Sequence, residues 1–156
     1  MPNPTLLAKL DLLAEYTHDL CEIQPENLAA FSRDKMLRRY AERMLHMAIE
    51  SCIQVGIQVL TDAGFRAPEN YHDIFIVLGD HGVLTPQLVT FMTMLVELRN
   101  LLVYEHDALD ETMIYGVLKK RIDDLEEFIR AIRAYALGEP FVPSAAFQPE
   151  ANEADE

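Results

Sequence analysis

The chain has 156 residues, half of them hydrophobic, with two cysteines and a formal net charge of −13. That length supports one domain with its own core, while the acidity speaks against broad, unspecific nucleic-acid binding. The start "MPNPTLLAKLDLLAEY" carries acids inside its apolar part, and no uncharged apolar run reaches about eighteen residues, against a signal peptide and a membrane span.

Cys21 and Cys52 have no CxxC spacing and no matching histidine pair, so they read as small packing groups rather than metal ligands or a disulfide. The expectation is a cytoplasmic protein with no membrane contact, metal or cofactor.

The periodicity is helical from the first residues. Asn3-Pro4 offers a cap followed by proline at the first helical position, and Leu6, Leu7, Leu10, Leu13 and Leu20 follow at helical spacing until Pro25. Ser32-Arg33-Asp34 reads as a second start, with serine as cap. From there Leu37, Tyr40, Met44, Ala48, Ser51, Val55 and Val59 trace one long face up to Gly64. Asn70 caps a short helix with Ile74, Phe75, Val77 and Leu78 on its buried side. Thr85-Pro86 opens "TPQLVTFMTMLVELRN", apolar nearly all round and so expected at the centre of the core.

Asp110 begins the last helix, with Leu118, Ile122, Leu125, Ile129 and Ile132 inward, and Gly138 with Pro140 stops it. Met36, Met44, Met47, Met92 and Met94 read as packing. The fold class expected is all-α: an up-and-down bundle of about five helices over residues 1–137, dimerising through its long helices. Residues 138–156 hold five acids and no lysine or arginine, leaving −8 for the bundle, and are expected to be a disordered tail.

The stretch "RNLLVYEHDALD" (99–110) holds the candidate chemistry. Arg99, Tyr104 and His106 can be the polar fringe of a helix end, complementing its negative pole. They can also be a site. On a continuous helix, positions seven apart differ by about 20°, so Arg99 and His106 would share a face about 10 Å apart. A guanidinium and an imidazole so placed suit a phosphodiester, one stabilising charge and the other moving a proton. The charged run "SRDKMLRRYAER" supplies Arg38, Arg39 and Arg43 as candidate RNA contacts on the outer side of the second helix.

Three segments then carry a family likeness: "RRYAERMLHMAIES" (38–51), "PENYHDIFIVLGDHGVL" (68–84) and "LRNLLVYEHDALDETMIYGVL" (98–118). In that order they resemble the second helix, the Pro-x-x-Tyr-x-x-x-Phe helix and the motif helix of the HepT toxins, a family within the HEPN superfamily of metal-independent helical ribonucleases. The resemblance implies a homodimer with its cleft at the interface. It also implies an RNA substrate and a nucleotidyltransferase antitoxin of the MntA type, which attaches AMP to a motif tyrosine.

The family pattern is Arg-x4-His-x-Tyr, whereas this chain reads Arg99-x4-Tyr104-x-His106, with histidine and tyrosine exchanged. Arg99 and Asn100 carry over directly. The assignment that follows gives Arg99 the scissile phosphate, His106 the proton, Asn100 the support of the cleft, and Tyr104 the RNA or the AMP. A 2′,3′-cyclic phosphate would be left on the product. The alternative is a catalytically silent HEPN-like dimer that binds a nucleotidyltransferase without cleaving RNA.

Overall fold

In the computed structural model, which describes residues 2–105, 107 and 109–147, every regular element is helical. The order is α1 Pro4–Cys21, α2 Leu28–Arg33, α3 Lys35–Ala63, α4 Tyr71–Asp80, α5 Pro86–Tyr104, α6 Glu111–Lys120 and α7 Ile122–Leu137. A single 3-10 turn follows at Ala145–Phe147.

The boundaries follow from local chemistry. Asn3, Asn70, Thr85 and Asp110 each accept a backbone N–H of the first turn, satisfying donors that a helix start leaves without partners. Gly64 and Gly138 end α3 and α7 at φ of 70° and 68°, a left-handed region that side-chain-bearing residues avoid.

Two boundaries differ from the expected ones. Ser32 caps nothing: it lies inside the added helix α2, which Asn27 caps, and Asp34 is the residue that accepts from Leu37 N to open α3. Ser32 Oγ is used elsewhere, donating to Glu111 Oε1 at 2.6 Å and tying α2 to the start of α6. The last helix is broken at Arg121 (φ −122°, ψ −1°). Asp123 and Asp124 sit in the first turn of the new helix α7, where carboxylates complement its positive pole. The bundle of about five helices is thus drawn as seven α segments among the described residues.

The hub is α3 rather than α5, since α3 packs against α1, α2, α4, α5 and α6. Its buried stripe runs through Ala41, Leu45, Ala48, Cys52, Val55 and Val59, while Tyr40 is exposed. Of the two residues expected to open that face, Leu37 is half-buried against the core and Tyr40 is exposed, so full burial begins at Ala41. Although α3 is long and apolar enough to cross a membrane by length and composition, 56% of that window is buried within the fold, as for any core helix.

Where α3 meets α4, Gly56 lets the backbones approach: a Cβ there would lie 2.5 Å from Ile74 Cγ2. Phe75 of α4 and Phe128 of α7 meet edge-on at 6.0 Å between centroids, both fully buried and each stabilising by about 1.5–3 kcal/mol.

Helix α5 buries one side, Leu88, Phe91, Met92, Leu95 and Val96. Its other apolar side opens into a groove of about 350 Å³ with Leu98, Leu101, Met113 and Val117 on its walls. An all-round apolar pattern therefore marks a core side plus a groove. Met94 is partly exposed on that groove and Met36 is almost fully exposed, so neither packs as expected, while Met92 is buried.

The segment expected to be an unstructured tail is, over 139–147, held against α7. Glu127, 2% exposed, accepts from Ser144 N at 2.9 Å, Ser144 Oγ at 2.7 Å and Arg130 Nη1 at 2.7 Å. Arg130 also donates to Val142 O and lies over the Phe141 ring. Burial pushes the Glu127 carboxyl up, but these bonds outweigh it and hold it below the usual range.

Candidate functional site

Helix α5 delivers Arg99 and Asn100 in its last turns and ends at Tyr104; Glu105 follows at φ −129°, ψ 47°, outside helical geometry. His106 lies outside the described residues. The continuous helix on which Arg99 and His106 would share a face therefore stops two residues short, and the two-turn spacing argument does not hold. The run "YEHD" places three consecutive ionisable side chains after Tyr104, with no apolar residue to bury and so nothing to extend the packed helix.

Arg99 is the centre of what α5 does present. Its side chain is 11% exposed, and Nε donates to Glu50 Oε1 of α3 at 2.6 Å. The guanidinium carbon is 5.1 Å from the ring centroid of Tyr71, the first residue of α4, and 5.6 Å from that of Tyr104. Both distances are within cation–π range. Tyr104 thus folds back toward Arg99 despite the angular separation of their positions on the helix.

Burial works against the charge of Arg99, but the bonds to Glu50 and Tyr104 more than offset it and raise its pKa further. Asn100 Oδ1 lies 3.5 Å from Arg99 Nη1, at the outer limit of a hydrogen bond.

The carboxylate that holds Arg99 has a second neighbour. His46, one turn earlier on α3, places Nε2 3.4 Å from the same Glu50 Oε1, and both side chains are about a third exposed. One carboxylate oxygen thus joins an imidazole on α3 to the guanidinium on α5. Sequence reasoning gave Glu50 and Tyr71 no part in the site, although both stand inside the family-like segments, as the Glu of "MAIES" and the Tyr of "PENY". Their role appears only when α3, α4 and α5 converge.

The three candidate basic contacts separate. Arg38 turns toward α6, where Nη1 meets Glu111 Oε2 at 3.3 Å, so it serves packing between helices. Arg39 pairs with Glu42 at 3.2 Å on the surface, and Arg43 is exposed. At about 100° per residue, Arg39, Arg43, His46 and Glu50 fall within about 60° of arc on α3 and form one strip leading to Arg99.

Elsewhere the histidines are engaged in other contacts: His18 with Glu22, His72 with Glu97 at 2.6 Å, and His81 stacked on Phe65. Among the described residues no three His, Cys, Asp or Glu side chains gather in a way that could hold a metal ion. Cys52 is buried, and burial pushes its thiol far up, which suits a packing group.

Comparison with known proteins places the chain in a family. The family described as Ribonuclease HepT-like matches residues 10–132. The chain is 22% identical over 129 residues to a tRNA nuclease HepT of Aphanizomenon flos-aquae, covering 83% of this chain and 88% of that one. It is 25% identical over 104 residues to an mRNA nuclease HepT of Shewanella oneidensis, covering 67% and 78% respectively. Its fold is similar to that of the tri-AMPylated Shewanella oneidensis HEPN toxin solved in complex with MNT antitoxin. That match has a TM-score of 0.78 at 21% identity, over 85% of this chain and 98% of that one.

Proposed function

The chain belongs to the HepT-like ribonuclease family, and from that membership we propose that it is the toxin of a toxin–antitoxin pair, a cytoplasmic endoribonuclease neutralised by a nucleotidyltransferase antitoxin of the MntA type. The observation that carries this reading is the seating of Arg99. Its guanidinium is held by Glu50 through Nε and flanked by two tyrosine rings, so its Nη edge is what an RNA phosphate would meet. A permanently charged donor in a largely desolvated seat is suited to the dianionic transition state of phosphodiester cleavage.

The reaction proposed is attack of the 2′-hydroxyl on the adjacent phosphorus, leaving a 2′,3′-cyclic phosphate and a free 5′-hydroxyl without a metal ion. Asn100 supports the cleft beside Arg99. Arg39 and Arg43 line the approach along α3, where a backbone phosphate gains from point charges. Two chains would pair through their long helices into a homodimer, bringing two such sites to a shared cleft.

Tyr104 is the AMP acceptor in this reading. It is 73% exposed at the end of α5, open to a partner enzyme, and still in contact with the Arg99 guanidinium. An AMP group there would set its own phosphate beside Arg99 and neutralise the charge that RNA needs.

A second reading has one observation in its favour: at 2.6 Å the Glu50 carboxylate already pairs with Arg99, as it would in a silent module that binds the nucleotidyltransferase without cutting RNA. Inducible expression without any partner separates the two. Growth arrest that R99A abolishes supports the toxin; harmless wild type supports the module.

A further inference from the structure

We infer that His46 is the proton donor of this site, standing in for the imidazole that the motif helix does not supply at position 104. The inference rests on the ribonuclease reading. Cleavage needs a group that hands a proton to the departing 5′-oxygen, and a guanidinium cannot do so because it does not deprotonate. Position 104 carries a phenol, and α5 ends there.

Among the described histidines, His46 is the one joined to Arg99: its Nε2 is 3.4 Å from the carboxylate oxygen that accepts from Arg99 Nε at 2.6 Å. His18, His72 and His81 are engaged with Glu22, Glu97 and Phe65. His46 also has the exposure a proton donor needs, its side chain 28% accessible, and it lies on the same strip of α3 as Arg39 and Arg43. A strand following those two arginines would pass the imidazole before reaching the guanidinium.

In the step assigned to it, the 2′-oxygen bonds to phosphorus and releases its proton to water. The bond from phosphorus to the 5′-oxygen breaks, its electron pair stays on that oxygen, and the proton on His46 Nδ1, the ring nitrogen that Glu50 does not hold, moves to it. The products are a 2′,3′-cyclic phosphate and a 5′-hydroxyl, and the neutral imidazole regains a proton from solvent. Glu50 is a positioning residue here, holding imidazole and guanidinium in register through one oxygen.

The test uses the purified full chain. The cut made in total cellular RNA by the wild type is mapped, and an oligonucleotide spanning it is synthesised with either oxygen or sulfur at the bridging 5′ position. A thiolate leaves without being protonated, so a missing acid is felt only with oxygen. His46→Gln is expected to slow cleavage of the oxygen substrate by about 10²–10³-fold and that of the sulfur substrate by less than about tenfold.

H46Q cleaving both substrates at the wild-type rate overturns the inference, and so does an equal loss on both, which would mark a structural role. If H46Q fails to fold, by far-ultraviolet circular dichroism, His46→Asn is measured with the same two outcomes. Wild type that cuts no RNA at all overturns the ribonuclease reading itself, and the assignment of His46 with it.

Discussion

Replacing Glu50 by Gln removes the charge that holds Arg99 while keeping the shape of the side chain. Hydrogen bonds to charged groups contribute about 1.5–3 kcal/mol. Here Gln retains a neutral acceptor and Glu50 is partly exposed, so the loss falls to about 1 kcal/mol. For a chain of this size that lowers Tm by about 2–4 °C.

The surface pair of Asp11 with Arg133, whose side chains are 79% and 42% exposed, is the internal control. Asp11→Asn is expected to shift Tm by less than about 2 °C, because a pair this exposed contributes about 0.5 kcal/mol or less. Thermal melts of wild type, E50Q, R99Q and the double variant form a cycle whose coupling isolates the pair. The expected coupling is about 1 kcal/mol, and cleavage by E50Q falls about 10–100-fold as the guanidinium loses its brace. A melt within 1 °C of wild type together with a coupling near zero would refute the claim that Glu50 seats Arg99.

Gly56→Ala places a methyl 2.5 Å from Ile74 Cγ2. It is expected to destabilise by about 1–3 kcal/mol despite the better helix propensity of alanine, read from urea unfolding; an unchanged midpoint would contradict the close approach of α3 and α4. Glu127→Gln is expected to cost about 2 kcal/mol at pH 7. The folded-state carboxyl is held below its ordinary value, so its contribution is complete above about pH 4.3 and fades as pH falls through the folded pKa. The gap in Tm between wild type and E127Q should therefore shrink as pH falls below about 4.3; a gap constant with pH would dismiss the Ser144 clasp as its source. Tyr104→Phe, co-expressed with an MntA-like nucleotidyltransferase, is expected to abolish the AMP adduct seen by mass spectrometry on wild type. Adducts that persist on Tyr71 or Tyr115 would reassign the acceptor.

Much of the fold was legible because caps act locally. Asn3, Asn70, Thr85, Asp110, Gly64 and Gly138 each set a boundary through bonds or dihedrals of their own neighbourhood. Ser32 misled because two cap-competent residues stand two apart; Ser32 lies inside α2 with its hydroxyl bonded to Glu111, seventy-nine residues away, and Asp34 caps α3. Tyr40 and Met94 fit the helical period but face outward, since periodicity gives the direction of a face and not what covers it.

The site divides the same way. Arg99, Asn100 and Tyr104 could be nominated from one short stretch of chain. Glu50, His46 and Tyr71 belong to other helices, and nothing local to them signals that α3 and α4 meet the end of α5 at Arg99. The shared face of Arg99 and His106 rested on a helix continuing past Tyr104, where α5 ends; His106 itself lies outside the described residues.

The most direct measurement is cleavage of total cellular RNA by the purified chain, wild type beside Arg99→Ala, with the product ends analysed. Fragments ending in 2′,3′-cyclic phosphate from wild type, reduced at least about 10²-fold by R99A, are the predicted result. Equal cleavage by both proteins, or intact RNA with wild type under conditions where the fold is verified, would contradict it.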